Sequence, residues 1–140
     1  MIKKYRIAVI EPDRRVSEPI KSRLARFADV MGVDGITSFK MFHEDEKFHL
    51  VLIAEELGNK SGSEVARELM RDFPALIVVG ISFNYTHEGL FNAYGVKHFV
   101  QKQKDLTQLV KMVRKLLKTK SKKLPSIAGR AVCSLPVIPL

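Results

Sequence analysis

Two hydrophobic rhythms take turns along this chain. Residues 7–10, 50–53 and 76–79 are apolar without a break (Ile7-Ala8-Val9-Ile10, Leu50-Val51-Leu52-Ile53, Leu76-Ile77-Val78-Val79). Strands read this way when helices cover both faces of a parallel sheet. Two weaker runs, 30–33 and 97–101, complete a set of five. Between them the period lengthens to three and four. Val16, Ile20, Leu24 and Phe27 recur at helical spacing against Arg14, Arg15, Lys21, Arg23 and Arg26, with Asp13 as the expected N-cap. Residues 36–42 predict a second helix. Ser61 and Glu64 form a capping box that opens a third, with Val65, Leu69 and Met70 facing inward, and Asp72-Phe73-Pro74 stops it. Thr86 is the expected cap of a short fourth helix over 88–94, closed by Gly95. Asp105 and Gln108 make a second capping box, and Leu106, Leu109, Val110, Val113, Leu116 and Leu117 line one face of the last helix.

Strand and helix thus alternate five times, which predicts an α/β fold built on a parallel sheet with right-handed crossovers. In open sheets of this kind chemistry sits beyond the carboxyl ends of the strands. Residues 54–62, which follow the central strand, are therefore expected to line the functional crevice. From about Thr119 the pattern dissolves into a basic run and a segment holding Pro125, Pro136 and Pro139. The expected organisation is one domain over 1–118 and a basic, proline-containing tail or linker over 119–140.

Composition changes this picture in two places. The net charge of +9 is uneven: residues 1–110 hold all 15 acidic residues and 16 of the 24 Lys and Arg, whereas 111–140 hold eight cations and no acid. The globular part is nearly neutral, and the basicity belongs to the last helix and tail. A single cysteine, Cys133, excludes an internal disulfide and fits a reducing compartment, while His43, His49, His87 and His98 show no metal-site spacing. No apolar run approaches the ~20 residues of a membrane span. A cytoplasmic protein without membrane contact is expected.

The strand ends resemble those of the receiver domain of two-component response regulators, over about residues 4 to 118. The resemblance implies a flavodoxin-like (βα)5 doubly wound fold with strand order 2-1-3-4-5. Receivers carry an acidic pair after the first strand, a phospho-accepting aspartate ending the third, a hydroxyl ending the fourth and a Lys-Pro ending the fifth. Here the acidic pair falls on Glu11 and Pro12, so one carboxylate is missing. The phospho-accepting position falls on Ala54, since Leu57-Gly58-Asn59-Lys60-Ser61-Gly62 follows the family's loop. The hydroxyl position is Ser82 with a loop two residues shorter than usual, or Gly80 on an ungapped count. The lysine is Lys102, followed by Gln103 instead of proline.

A methyl group cannot attack phosphorus, and Mg²⁺ asks for a near-octahedral oxygen cage. The expected protein is therefore an atypical pseudo-receiver, not an enzyme, with Mg²⁺ binding lost or weak and no other cofactor or metal. Strand alternation points Glu55 away from the pocket, whereas Glu56, with Glu11 and Asp13, could form a residual cation site. Lys102 and Glu11 could simply pair across neighbouring strand ends. The resemblance also implies a protein partner in signalling, or a homodimer, on the face made by the fourth helix, fifth strand and last helix. Phe91, Tyr94, Phe99 and Met112 beside Lys97, Lys104, Lys111 and Lys115 would supply that face, because Tyr, Phe and Met are enriched in interface cores. Two other readings stay open. One is the regulatory receiver of a longer response regulator; the other is nucleic-acid binding by the basic helix and tail, which lacks any accompanying RNA-binding aromatic pattern.

Overall fold

The computed structural model describes residues 5–58, 60–101 and 106–128, with side chains through Thr119. Lys102, Lys104, the Asp105 cap and the tail with Cys133 lie outside the described residues. In chain order the elements are β1 (Arg6–Ile10), α1 (Arg14–Leu24), β2 (Asp29–Gly32), α2 (Ile36–Asp45), β3 (Leu50–Ala54), β4 (Glu56–Leu57), β5 (Lys60–Ser61), α3 (Gly62–Asp72), β6 (Ile77–Ser82), α4 (His87–Ala93), β7 (His98–Gln101) and α5 (Thr107–Ala128). Five strands pair in parallel in the order β2-β1-β3-β6-β7. This is the expected order, with a short antiparallel β4-β5 hairpin inserted after the central strand.

The unbroken apolar runs are buried on both faces, as their composition requires. Ala8, Ile10, Val51, Ile53 and Val78 join Phe39, Phe48, Val65, Leu69 and Phe91 in one core layer. Ile7, Val9, Leu50, Leu52, Val79 and Ile81, of opposite parity in their strands, are buried too, as are Ile20 and Leu24 of α1. Asp13 caps α1 by accepting the Arg15 N–H, and Ser61 and Glu64 close the capping box of α3. Pro19 stands inside α1. A helix-interior proline costs about 3 kcal/mol, and the buried side chains of Ile20 and Leu24 evidently outweigh it.

At the opposite edge of the sheet from the strand carboxyl ends, Arg6 acts as a clamp. Its guanidinium lies 4.3 Å from the centre of the Phe48 ring, its Nη1 donates to the Glu46 carbonyl, and its Nε faces Asp29 at 3.5 Å. One residue thus ties β1 to β2 and to the segment leading into β3.

Two compact units divide the chain, residues 1–110 and 111–140. The sheet and the first four helices belong to the first. In the second, α5 continues past Thr119 to Ala128, beyond the point where the apolar spacing runs out. There the helix runs past Lys120-Ser121-Lys122-Lys123 and through Pro125, where the proline argues against a helix.

Candidate functional site at the strand carboxyl ends

A cavity of about 350 Å³ opens where β1, β3 and β6 end side by side. The loops leaving these neighbouring strands diverge, which is what creates a crevice at this edge of an open sheet. Its walls come from Glu11 to Asp13, from Ala54 to Glu56, and from Ile81 to Asn84 with His87. Glu11, Pro12, Ala54 and Ser82, predicted as one pocket, are thus brought together.

The two candidates for the hydroxyl position stand differently toward the cavity. Ile53 stands opposite Gly80 and Ala54 opposite Ile81, so Ser82 is the residue that reaches the cavity. Gly80 lies one step inside the sheet, covered by the Phe91 ring.

Three of the carboxylates near the cavity, Glu11, Asp13 and Glu55, already hold hydrogen bonds. Glu11 accepts the Asp13 N–H at 3.0 Å. Asp13 accepts the Arg15 N–H at 2.9 Å and both its side-chain Nε and Nη2 at 3.2 Å. The hydrogen bonds that the Arg15 guanidinium donates to Asp13, then the charge of Asp13, raise the pKa of this exposed guanidinium. Glu55 is buried, and its carboxylate accepts the Ser63 N–H at 3.0 Å and the Ser63 hydroxyl at 3.4 Å. It therefore serves the N-terminus of α3 together with the capping box, although Glu55, expected to point away, is among the residues that line the cavity. Glu56 is exposed at the rim. Glu11, Asp13 and Glu56 line one cavity as predicted. Yet among the described residues no three His, Cys, Asp or Glu side chains are arranged to hold a metal ion. Of the three carboxylates expected to form a residual cation site, Glu11 and Asp13 are engaged with backbone and arginine donors.

The floor of the cavity is apolar at the decisive point. Ala54 is buried, and the chain returns so closely past it that a Cβ on Gly62 would lie 1.8 Å from the Ala54 carbonyl oxygen. The Gly62 N–H donates to the Glu55 carbonyl and closes this turn. Glycine at 62 thus fixes how the β4-β5 hairpin frames the pocket.

Ser82 is held by partners that the sequence did not reveal. Its hydroxyl accepts the Asn84 N–H at 3.0 Å and lies 2.7 Å from His87 Nδ1. Asn84 Oδ1 in turn accepts the Thr86 N–H at 3.0 Å and the Thr86 hydroxyl at 2.6 Å, and the Phe83 carbonyl accepts from Gln101. Thr86 was expected to cap α4, but it makes no side-chain cap bond. Its hydroxyl turns back to Asn84, because the Asn side chain offers a competing local acceptor. The loop ties itself shut and leaves Phe83, which lines the cavity, 60% exposed and Tyr85 68% exposed. Nothing in spacing or composition distinguishes His87 from any other surface histidine; only the fold brings it to Ser82.

The predicted partner face needs correction at Phe91. That ring is fully buried, since glycine at position 80 leaves room for it above β6. Phe99 is half-buried with its ring 5.8 Å from Phe91, and Tyr94 is half-buried as well. Lys97, Lys111 and Lys115 are exposed and Met112 is half-buried. The last three lie in the second unit.

No protein-family model matches this sequence, and no curated protein sequence matches it. Solved structures do. The receiver domain protein (CheY-like) of Methanospirillum hungatei superimposes with a TM-score of 0.74 at 16% identity, over 85% of this chain and 98% of that one. The response regulator TrrA of Thermotoga maritima, solved with Mg²⁺ and BeF, gives 0.73 at 18% identity over 81% of this chain and 99% of its own. NtrX of Brucella abortus in complex with ATP gives 0.78 at 18% identity, covering 95% of this chain but 31% of that longer protein. Among the described residues no helix is long and apolar enough to cross a membrane. The chain has the flavodoxin-like (βα)5 fold of a CheY-like response-regulator receiver domain.

Proposed function

We propose that this protein is a pseudo-receiver, a non-catalytic signalling domain that works by protein–protein recognition without accepting a phosphoryl group. The observation that carries the reading is the Ala54 methyl at the end of the central strand, where the receiver pattern has its nucleophilic carboxylate. Phosphoryl transfer onto a protein needs a nucleophile in line with phosphorus and a cation to offset charge. Here that nucleophile is replaced by a methyl group, and Glu11 and Asp13 have other bonds to keep, so Mg²⁺ binding would be lost or weak.

The Ser82–His87–Asn84 network supports the same reading. A hydroxyl that must move toward a phosphoryl group would first have to break its bonds to His87 and Asn84. With those bonds in place the β6–α4 loop is held in one form, and Phe83 and Tyr85 are presented ready-made. Preorganised aromatic side chains lose little entropy on docking, which suits a recognition surface that is always on.

The test is incubation of the full chain with acetyl phosphate and Mg²⁺, followed by intact-mass spectrometry. No phosphoryl adduct is expected. An adduct that maps to a carboxylate of the cavity would overturn the proposal.

A further inference from the structure

A second groove lies away from the strand ends, between α3 and α4. It has a volume of about 290 Å³ and is lined by Lys60, Glu64, Arg67, Glu68, Arg71 and Tyr94. Its two carboxylates are already engaged: Glu64 in the capping box with Ser61, and Glu68 by Lys40 at 2.8 Å. Arg71 faces Asp72 at 3.5 Å, an acid it shares with Lys40. Arg67 lies over the Tyr94 ring at 5.9 Å, and neither Arg67 nor Lys60 has an ion-pair partner among the described residues. Arg67 and Arg71, four residues apart, share a face of α3. The groove is basic with an aromatic wall.

The end of α2 has the opposite character. Met41 is 68% and Phe42 42% exposed, and the acidic run Glu44-Asp45-Glu46 follows them, all exposed. Glu46 faces Arg6 at 3.8 Å, but Glu44 and Asp45 have no ion-pair partner among the described residues. Carboxylates at a helix C-terminus oppose the helix dipole, and two large apolar side chains in water gain the monomer nothing. An acidic, apolar projection and a basic, aromatic groove on one molecule are complementary.

We propose that copies of this chain associate head to tail, with the α2 end of one copy seated in the α3/α4 groove of the next. The occupant is a second copy because the matching charge and apolar surface are present on the chain itself. Such a contact is heterologous, so it repeats along a row of copies unless the rotation closes a ring. Attraction between exposed charges makes it sensitive to salt, which screens them within about 10 Å at 0.1 M.

Sedimentation velocity on the full chain tests this, with two neutralised variants, Arg67→Gln/Arg71→Gln and Glu44→Gln/Asp45→Asn. All four positions are on the surface, and circular dichroism verifies that each variant is folded. The unmodified chain should grow in mass with concentration at low ionic strength and return to monomer in about 1 M salt. Each variant alone should remain monomeric. An equimolar mixture should form a complex that stops at two chains, since one acidic end and one basic groove remain. A monomer at every concentration, or association that survives in both variants, would overturn the proposal. So would a monomer that binds poly-glutamate through Arg67, which would assign the groove to an acidic segment of another protein.

Discussion

Gly80 and Phe91 show how a single position governs the interior. A Cβ at 80 would lie 2.7 Å from atoms of the Phe91 ring, and that ring is fully buried in the core layer. Gly80→Ala should therefore lower stability by about 1–3 kcal/mol, the usual cost of overpacking, read as a lower urea midpoint at unchanged slope. A second residue-scale prediction concerns His43, which is buried against Phe39 and Phe73 and whose Nδ1 accepts the Phe48 N–H at 3.0 Å. Burial first, then the charges of Lys47, Arg6 and His49, lowers its pKa below the ordinary histidine value of 6.5. Burial also lowers His98. For both, the unfolded chain takes up a proton before the folded one does. Stability should then be full above pH 6.5 and fall as the pH drops from 6.5 toward the folded values. His43→Gln should reduce, but not abolish, this dependence in urea melts run between neutral and mildly acidic pH.

Elements in this protein follow their apolar spacing even where local signals argue against it. Helix α1 runs through Pro19, which supplies no N–H to the carbonyl one turn earlier. Pro19→Ala should restore that bond and stabilise the domain by about 1–3 kcal/mol, seen as a higher melting temperature with an unchanged far-ultraviolet spectrum. The long apolar strands and the capping box of α3 were legible because burial on two faces and reciprocal capping leave composition no alternative. The β4-β5 hairpin was not: two-residue strands carry no periodicity, and the close pass of Gly62 over Ala54 is a tertiary contact. The cap of α4 was misread for a related reason. Asn84 and Thr86 are both good capping residues, and only the loop's geometry shows that they bond each other.

For the whole molecule, the fold and the strand-end part of the site are legible in the sequence. Glu11, Pro12, Ala54 and Ser82 meet in one cavity because strand ends that are neighbours in a parallel sheet must meet. What spacing could not supply was the network that holds Ser82, since His87 and Asn84 reach it through the path of a loop. The partner surface was misjudged at Phe91 for lack of any view of Gly80's empty side. Among the described residues, Phe83 and Tyr85 of the β6–α4 loop, Met41 and Phe42 at the end of α2, and Leu90 are the exposed large apolar side chains. On the proposed reading, a methyl group at the end of the central strand, where receivers carry their aspartate, leaves recognition of this domain independent of phosphate.

An amide-resolved NMR titration with Mg²⁺ and beryllofluoride, which mimics an aspartyl phosphate, tests that account most directly. The account predicts no saturable shifts at Glu11, Ala54, Ser82 or His87. Saturable shifts that start in this cavity and spread to Phe99 would contradict it, by showing that another carboxylate fills the role Ala54 cannot.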